Sequence, residues 1–264
     1  MSKALGGRVG LICNREHDVF SAVAATLRRR GVAVEFVEPG RDLAPDEIER
    51  FDLLANKKVD PASLRALYYA DTHGFATWNG FLTALLGTRP IGYAALRAVG
   101  LAVPEFTFEE PEYDYVAKTM FDWHYHPDPE RGGDGDVYQR YVPAEPIDYK
   151  YYGVDDGTRR RVRVLRSTSK LYGEKEYLDT VDPDPELADR VRRLMELVDA
   201  HAIGVDVVDV DGAPYAVDVN PAMSFRNAGM EDALADSMTA ALEHGALAPS
   251  LKSFDRDPVA DFTD

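Results

Sequence analysis

Apolar residues recur along the chain in two rhythms. Over residues 8–86, short apolar runs alternate with stretches whose apolar positions return every three or four residues. Residues 8–13 read as a buried strand. Asp18 opens an amphipathic segment over 19–30, with Phe20, Val23 and Leu27 on one face, and Gly31 ends it. Residues 32–37 alternate as a second strand and 51–55 form a third. Asp60 followed by Pro61 is a cap with a first-turn proline, opening a helix over 62–73. A short strand at 75–78 and a helical segment at 80–86 complete this part. The βαβαβ order predicts a small parallel sheet with right-handed crossovers. No Gly-x-Gly-x-x-Gly follows the first strand, where Cys-Asn-Arg-Glu-His stands instead, so a dinucleotide site is poorly supported.

Beyond residue 89 the rhythm shifts toward period two. A helix over 90–99 and a strand-like stretch at 104–108 lead to strands near 113–120 and 136–142, separated by a loop at 127–135 rich in Pro, Gly and Asp. Segments 149–154, 161–166 and 204–220 read as antiparallel strands. A helix over 185–201 presents Leu187, Val191, Leu194 and Val198 as its core face. A last helix over 231–242 precedes an acidic tail, 253–264, expected to fray. The fold class is mixed α/β (α+β), without internal repeats.

Composition narrows the function classes. The 264 residues are 45% hydrophobic, enough for a real core, and no apolar run approaches the ~18 residues of a membrane span. The start of the chain lacks a long apolar signal core, and Cys13 is the sole cysteine, which excludes an internal disulfide and fits a reducing cytoplasm. The net charge is −16, with 29 Asp among the acids and only 8 Lys beside 22 Arg. Dense carboxylates with few lysines suit a halophilic protein in concentrated salt, although a merely acidic protein has the same composition. Either way a nucleic-acid backbone meets a repelling field.

One hairpin carries chemistry. In the run from Gly204 to Asn220, a turn centred on Gly212 sets Asp206 opposite Asp218 and puts Asn220 on the same face. Facing carboxylates repel by roughly 0.2–1 kcal/mol unless a cation lies between them. Oxygen-only Asp, Asp and Asn suit Mg²⁺, which binds through one or two carboxylates plus phosphates. A solvated acidic hairpin gives the same pattern, and the residues alone leave both readings open.

Upstream motifs shift that balance. Tyr-Val-Ala-Lys118 ends a strand in a lysine, Val-Tyr-Gln139-Arg140-Tyr141-Val142 follows, and Asp218-Val-Asn220-Pro-Ala-Met-Ser-Phe-Arg226-Asn closes the series. Together they resemble the ATP-grasp superfamily, in particular RimK-like ligases and the carrier-protein ligases of lysine and arginine biosynthesis. The resemblance runs from about residue 48 to 245 and implies an ATP-grasp fold preceded by a pre-ATP-grasp parallel βαβ domain. It divides the chain into a pre-ATP-grasp α/β domain at 1–88, a small lobe at 89–142, a large lobe with the metal site at 143–250, and an acidic tail at 251–264. It implies ATP and Mg²⁺ as cofactors, with Mn²⁺ as an alternative, and Asp206, Asp218 and Asn220 as metal ligands. Lys118 corresponds to a phosphate-contacting lysine. Gln139, Arg140, Tyr141 and Val142 form the segment whose backbone reads adenine, and Asp148 is placed at the ribose, with Lys150 where an arginine is common. Arg166 corresponds to the arginine that meets the transferring phosphoryl group, and Arg226 to the grip on a substrate carboxylate.

Three departures accompany the match. The family's first ATP-contacting lysine is Arg89 here or is absent, and Lys57 and Lys58 come too early to replace it. The glycine-rich phosphate lid after Lys118 is replaced by a segment containing His124 and His126. The glycines after Arg131 lie among acids instead. The implied activity is ADP-forming carboxylate–amine ligation through an acyl phosphate. The implied partners are a small-molecule or carrier-protein carboxylate and an amino acid, with no nucleic acid or membrane; a homo-oligomer is compatible with the reading. A small-molecule kinase of the same superfamily and a non-catalytic nucleotide-binding module are the alternatives.

Overall fold

Parallel strands come first, as the alternating pattern requires. The computed structural model describes residues 6–121 and 130–245. Strands β1 (Arg8–Ile12), β2 (Ala33–Val37), β3 (Leu53–Asn56) and β4 (Thr77–Trp78) form a parallel sheet in the order β2-β1-β3-β4. Helices α1 (Asp18–Arg29), α2 (Pro45–Ile48) and α3 (Pro61–His73) connect them, followed by α4 (Phe81–Leu85) and α5 (Arg89–Ala98). Asp60 caps α3 as the sequence predicts, accepting from the Ser63 amide at 2.8 Å. The cap of α1 is His17, one residue before the expected Asp18.

A second, antiparallel sheet holds β5 (Phe106–Thr107), β6 (Tyr115–Lys118), β7 (Glu130–Arg131) and β8 (Val137–Arg140) in the order β5-β8-β6-β7. The third sheet joins β9 (Ile147–Asp155), β10 (Arg160–Thr168), β11 (Tyr177–Val181), β12 (Ala202–Val210) and β13 (Ala213–Asn220) as β11-β10-β9-β12-β13, antiparallel throughout. Helix α6 (Pro185–Leu197) stops four residues short of the expected end. Asp199 takes a left-handed φ of 50°, and the Ala200 amide closes back onto the Met195 carbonyl at 2.7 Å. Strand β11 is an addition to the predicted elements.

Two cores sandwich the third sheet. On one face, Tyr152, Leu165 and Phe225 pack with Val9, Leu11, Phe20 and Leu27 of the N-terminal unit and with Leu234 and Met238 of α7 (Glu231–His244). On the other, Tyr151, Val164, Ile203 and Val205 meet Tyr93 and Leu96 of α5 and Val191, Leu194 and Met195 of α6. Each such fully buried side chain contributes about 1.5–3 kcal/mol. The N-terminal sheet is therefore fixed to the third sheet through a continuous apolar core, with the indole of Trp78 donating to Ser237 Oγ at 2.9 Å within it. Among the described residues no helix is long and apolar enough to cross a membrane. His124, His126 and the tail at 253–264 lie outside the described residues.

Candidate functional site

The acidic hairpin opens onto a cavity of about 390 Å³ between the second and third sheets. Strands β12 and β13 pair Val210 with Ala213 and Val207 with Ala216, then shift register so that Asp206 faces Asp218. Val217 is the extra residue. Were the ladder to continue past Val207 and Ala216 without this bulge, Asp206 would pair with Val217, and strand alternation would turn Asp218 to the opposite face. The bulge thus brings both carboxylates to the cavity. It also turns the Val217 carbonyl to Lys118 Nζ, which donates to it at 2.7 Å.

Two cations answer the facing acids. Lys150, in register with Asp206 on neighbouring β9, donates to Asp206 Oδ2 at 2.8 Å and lies 3.9 Å from Asp148. Arg89, on the first turn of α5, reaches both oxygens of Asp218 at 2.8 Å and donates through Nε to the Thr119 carbonyl at 2.6 Å. Burial opposes charge on Asp218, but Arg89 and then Lys118 overcome it and hold the carboxyl below its usual range. Burial likewise opposes the Lys150 ammonium, and Asp206 and Asp148 outweigh it, raising its pKa. Asp148 moves the other way: burial, then the Asp206 charge, raise it.

Lys118 also donates to Gln139 Oε1 at 2.8 Å, and its ammonium lies 5.8 Å from the Tyr93 ring centre. Gln139 lines the cavity, and its buried Nε2 has no hydrogen-bond acceptor among the described residues. At the far end, the Tyr141 and Tyr172 hydroxyls meet at 2.6 Å beside Val142 and Leu171. The Arg140 guanidinium turns outward to Glu105, at 2.6 and 2.9 Å, and stacks on Tyr113. The amides of Arg140 and Tyr141 are engaged by the carbonyls of Glu105 and Asp114, at 2.7 and 2.8 Å. That leaves less of this backbone for reading a base edge than the sequence suggested.

Among the described residues no three His, Cys, Asp or Glu side chains gather as a metal cluster. The set that does gather is two carboxylates and the Asn220 amide, which suits a hard, phosphate-bound cation. Asp206 lines the cavity, and its Oδ1 is a buried acceptor without a hydrogen-bond partner among the described residues. The donor set therefore fits Mg²⁺.

No family model matches the chain, and no curated protein matches it. Solved structures do. A RimK-domain ATP-grasp protein from Sphaerobacter thermophilus superposes with a TM-score of 0.66 at 19% identity, covering 89% of this chain and 98% of that one. The macrocyclase MdnC from Microcystis aeruginosa, bound with its precursor peptide, gives 0.66 at 10% identity over 90% and 99%. The ATP-grasp ligase PsnB, complexed with minimal precursor, Mg and ADP, gives 0.61 at 16% identity over 92% and 97%.

The chain has the ATP-grasp fold.

Within this ATP-grasp frame most of the expected residues converge. Lys118, Gln139, Arg140, Tyr141, Val142, Asp148, Asp206, Asp218 and Asn220 all line the cavity. Arg166 does not. Lys150 faces the cavity and pairs with Leu165, whereas Arg166 pairs with Tyr149 and lies on the other face of the sheet. There it clasps Asp179 of β11 at 2.7 and 2.5 Å, an ion pair that raises the pKa of the arginine and lowers that of the acid. Arg226 is also outside the cavity. Its side chain is 60% exposed, and its Nε lies 3.5 Å from Asp18 at the start of α1.

Sequence reasoning missed Arg89 as a firm site residue, and missed Lys170 and Lys175 altogether. Both lysines line the ATP-grasp cavity from the segment after β10, where the 3-10 turn Lys170–Tyr172 lies. Lys175 keeps contact with solvent, yet partial desolvation at the cavity wall, then the neighbouring Lys150 charge, bring it down to about 8. A clue was present: of the 8 lysines in this arginine-rich chain, Lys118, Lys150, Lys170 and Lys175 line one cavity.

Proposed function

We propose that the protein is an ATP-dependent, ADP-forming carboxylate–amine ligase. The observation that supports this most is Asp206, Asp218 and Asn220 facing one cavity with Arg89, Lys118, Lys150 and Lys175 around them. Phosphoryl transfer needs positioning and charge neutralisation more than covalent help from the protein, and this set supplies both. When Mg²⁺ is bound, Asp206, Asp218 and Asn220 hold it and it neutralises phosphate charge. Lys118 and Arg89 grip the phosphates from the small-sheet side. Lys150 and Lys175 take the part first given to Arg166, facing charge that develops on the transferring group. Tyr141, Val142, Leu171 and Tyr172 form the apolar slot for adenine, and Asp148 accepts from the ribose hydroxyls.

The acceptor carboxylate takes the phosphoryl group, and the resulting acyl phosphate is attacked by an amine with loss of phosphate. We read Arg226, whose Nε lies 3.5 Å from Asp18, as the grip on an anionic end of a substrate that enters from the N-terminal unit. PsnB and MdnC carry precursor peptides in their structures, so peptide carboxylates belong in the substrate panel beside free amino acids. The deciding experiment is an ADP-release screen with Mg·ATP, carboxylate donors and amines. A ligase needs both donor and amine, and Asn220→Ala abolishes turnover with the fold intact. ADP and a phospho-product formed without amine would make it a kinase instead.

A further inference from the structure

The N-terminal unit reaches into the turn that follows Asn220. Two of its side chains, each just past the end of a parallel strand, hold consecutive carbonyls of that turn. Asn79, 1% exposed and directly after β4, donates through Nδ2 to the Pro221 carbonyl at 3.1 Å and to the Ala202 carbonyl at 2.7 Å. Its Oδ1 accepts from the His201 and Ala202 amides at 3.0 and 2.9 Å. Lys57, 9% exposed and directly after β3, donates from Nζ to the Ala222 carbonyl, and its ammonium lies 5.6 Å from the ring centre of Phe20. Between these contacts the Ala222 amide donates to Asn220 Oδ1 at 2.8 Å.

Several features point to function beyond mere folding. Asn79 has a φ of 54°, a left-handed conformation uncommon for a non-glycine residue, and it is held there by four hydrogen bonds. The next residue, Gly80, admits no larger side chain, because a Cβ would come within 2.6 Å of Thr77 Oγ1 and 2.8 Å of Asp71 Oδ2. Asp71 in turn accepts from Thr77 Oγ1 at 2.8 Å and from the Phe81 amide at 2.7 Å. Lys57 keeps its ammonium buried against a backbone carbonyl, although its four-carbon stem is long enough to seek water. Pro221 restricts Asn220 to extended backbone, so what remains to be set is how the turn sits against the hairpin.

We infer that Lys57 and Asn79 are positioning residues for Asn220: the N-terminal unit sets the orientation of the metal-proximal amide by clamping the Pro221 and Ala222 carbonyls. This rests on reading Asn220 as a metal ligand. Partners that orient a ligand from behind typically alter metal affinity or activity 10–100-fold when removed.

Mn²⁺ binding to the full chain saturated with ADP, followed by electron paramagnetic resonance, tests the clamp independently of turnover. Lys57→Met is expected to weaken Mn²⁺ about 10-fold and Lys57→Arg to restore most of it, with ADP affinity in EDTA unchanged within about 2-fold. Asn79→Asp, which turns a donor to the Pro221 carbonyl into an acceptor, is expected to weaken Mn²⁺ likewise. Unchanged Mn²⁺ affinity in Lys57→Met and Asn79→Asp overturns the inference. Metal-free ADP affinity that falls in step with Mn²⁺ also overturns it, by assigning both residues to folding alone. A wild-type protein that binds ADP but no Mn²⁺ instead removes the metal reading beneath it.

Discussion

Replacing Arg89 with methionine exposes how the site is balanced. Arg89 is 7% exposed and Asp218 29% exposed, and the guanidinium takes both carboxylate oxygens at 2.8 Å. Removing one partner of a buried pair costs about 3–5 kcal/mol, because the other charge is left uncompensated. Asp218 keeps some contact with solvent and feels Lys118 as well, so about 2–3 kcal/mol is the appropriate figure here. For a chain of this size that lowers Tm by roughly 4–9 °C. Removing both charges, in Arg89→Met with Asp218→Asn, should recover most of the loss, giving a coupling of about 1.5 kcal/mol or more in a double-mutant cycle.

The pH dependence carries an independent sign. In the wild type Arg89 depresses the Asp218 pKa, so its contribution is present above the ordinary carboxylate range and is lost as pH falls through the lowered value. In Arg89→Met burial acts with less opposition, the folded-state pKa rises, and protonation stabilises the variant on acidification. The stability gap should therefore shrink from pH 7 toward pH 4. Differential scanning calorimetry of the four proteins across this range measures it. A gap below about 0.5 kcal/mol at pH 7, or one that widens on acidification, would refute the account of Asp218 as a compensated buried charge.

Three further outcomes separate the cavity residues from those outside it. Arg166→Ala should leave ADP affinity within about 2-fold in calorimetric titration, whereas Lys150→Met, which strips Asp206 of its partner, should weaken Mg·ADP about 10-fold or more. ADP affinity should decline as pH rises through about 8, where Lys175 loses its proton, and Lys175→Met should bind more weakly at pH 7 and lack that bend. Arg226→Ala should raise KM for an anionic acceptor with little change in KM for ATP; a matched loss in both would remove Arg226 from substrate binding.

The parallel sheet was legible because strand and helix periods alternate cleanly, and the cap at Asp60 acts locally as its sequence implies. Lys118 was legible because it ends an apolar strand. Arg166 was misplaced for a physical reason: its neighbours alternate, and a shift of one position along β10 reverses the face on which a side chain emerges. Which face of β10 meets the cavity depends on its pairing with β9, a tertiary relation that no local pattern carries. Lys150 shows the same point from the other side, since it faces the cavity two residues along from Asp148 on the same strand. Arg89 escaped because an arginine at a helix start, by itself, says nothing about a carboxylate 129 positions away.

The hairpin was placed correctly by a count that omitted its decisive feature. A turn centred on Gly212 puts Asp206 opposite Asp218, yet the ladder begins with Val210 against Ala213, half a residue earlier. An uninterrupted ladder from that start would separate the two acids onto opposite faces. The unpaired Val217 restores the alignment, and its carbonyl leaves the ladder to receive Lys118. One extra residue thus aims two carboxylates and fixes a cation at the same cavity. Deleting Val217 closes the ladder with Asp206 still opposite Asp218 but removes the carbonyl that receives Lys118, so it should weaken Mg·ADP about 10-fold in calorimetric titration, while Val217→Ala, which keeps that carbonyl, should bind within about 2-fold of the wild type. Equal binding in the two variants would show that the site does not depend on the bulge.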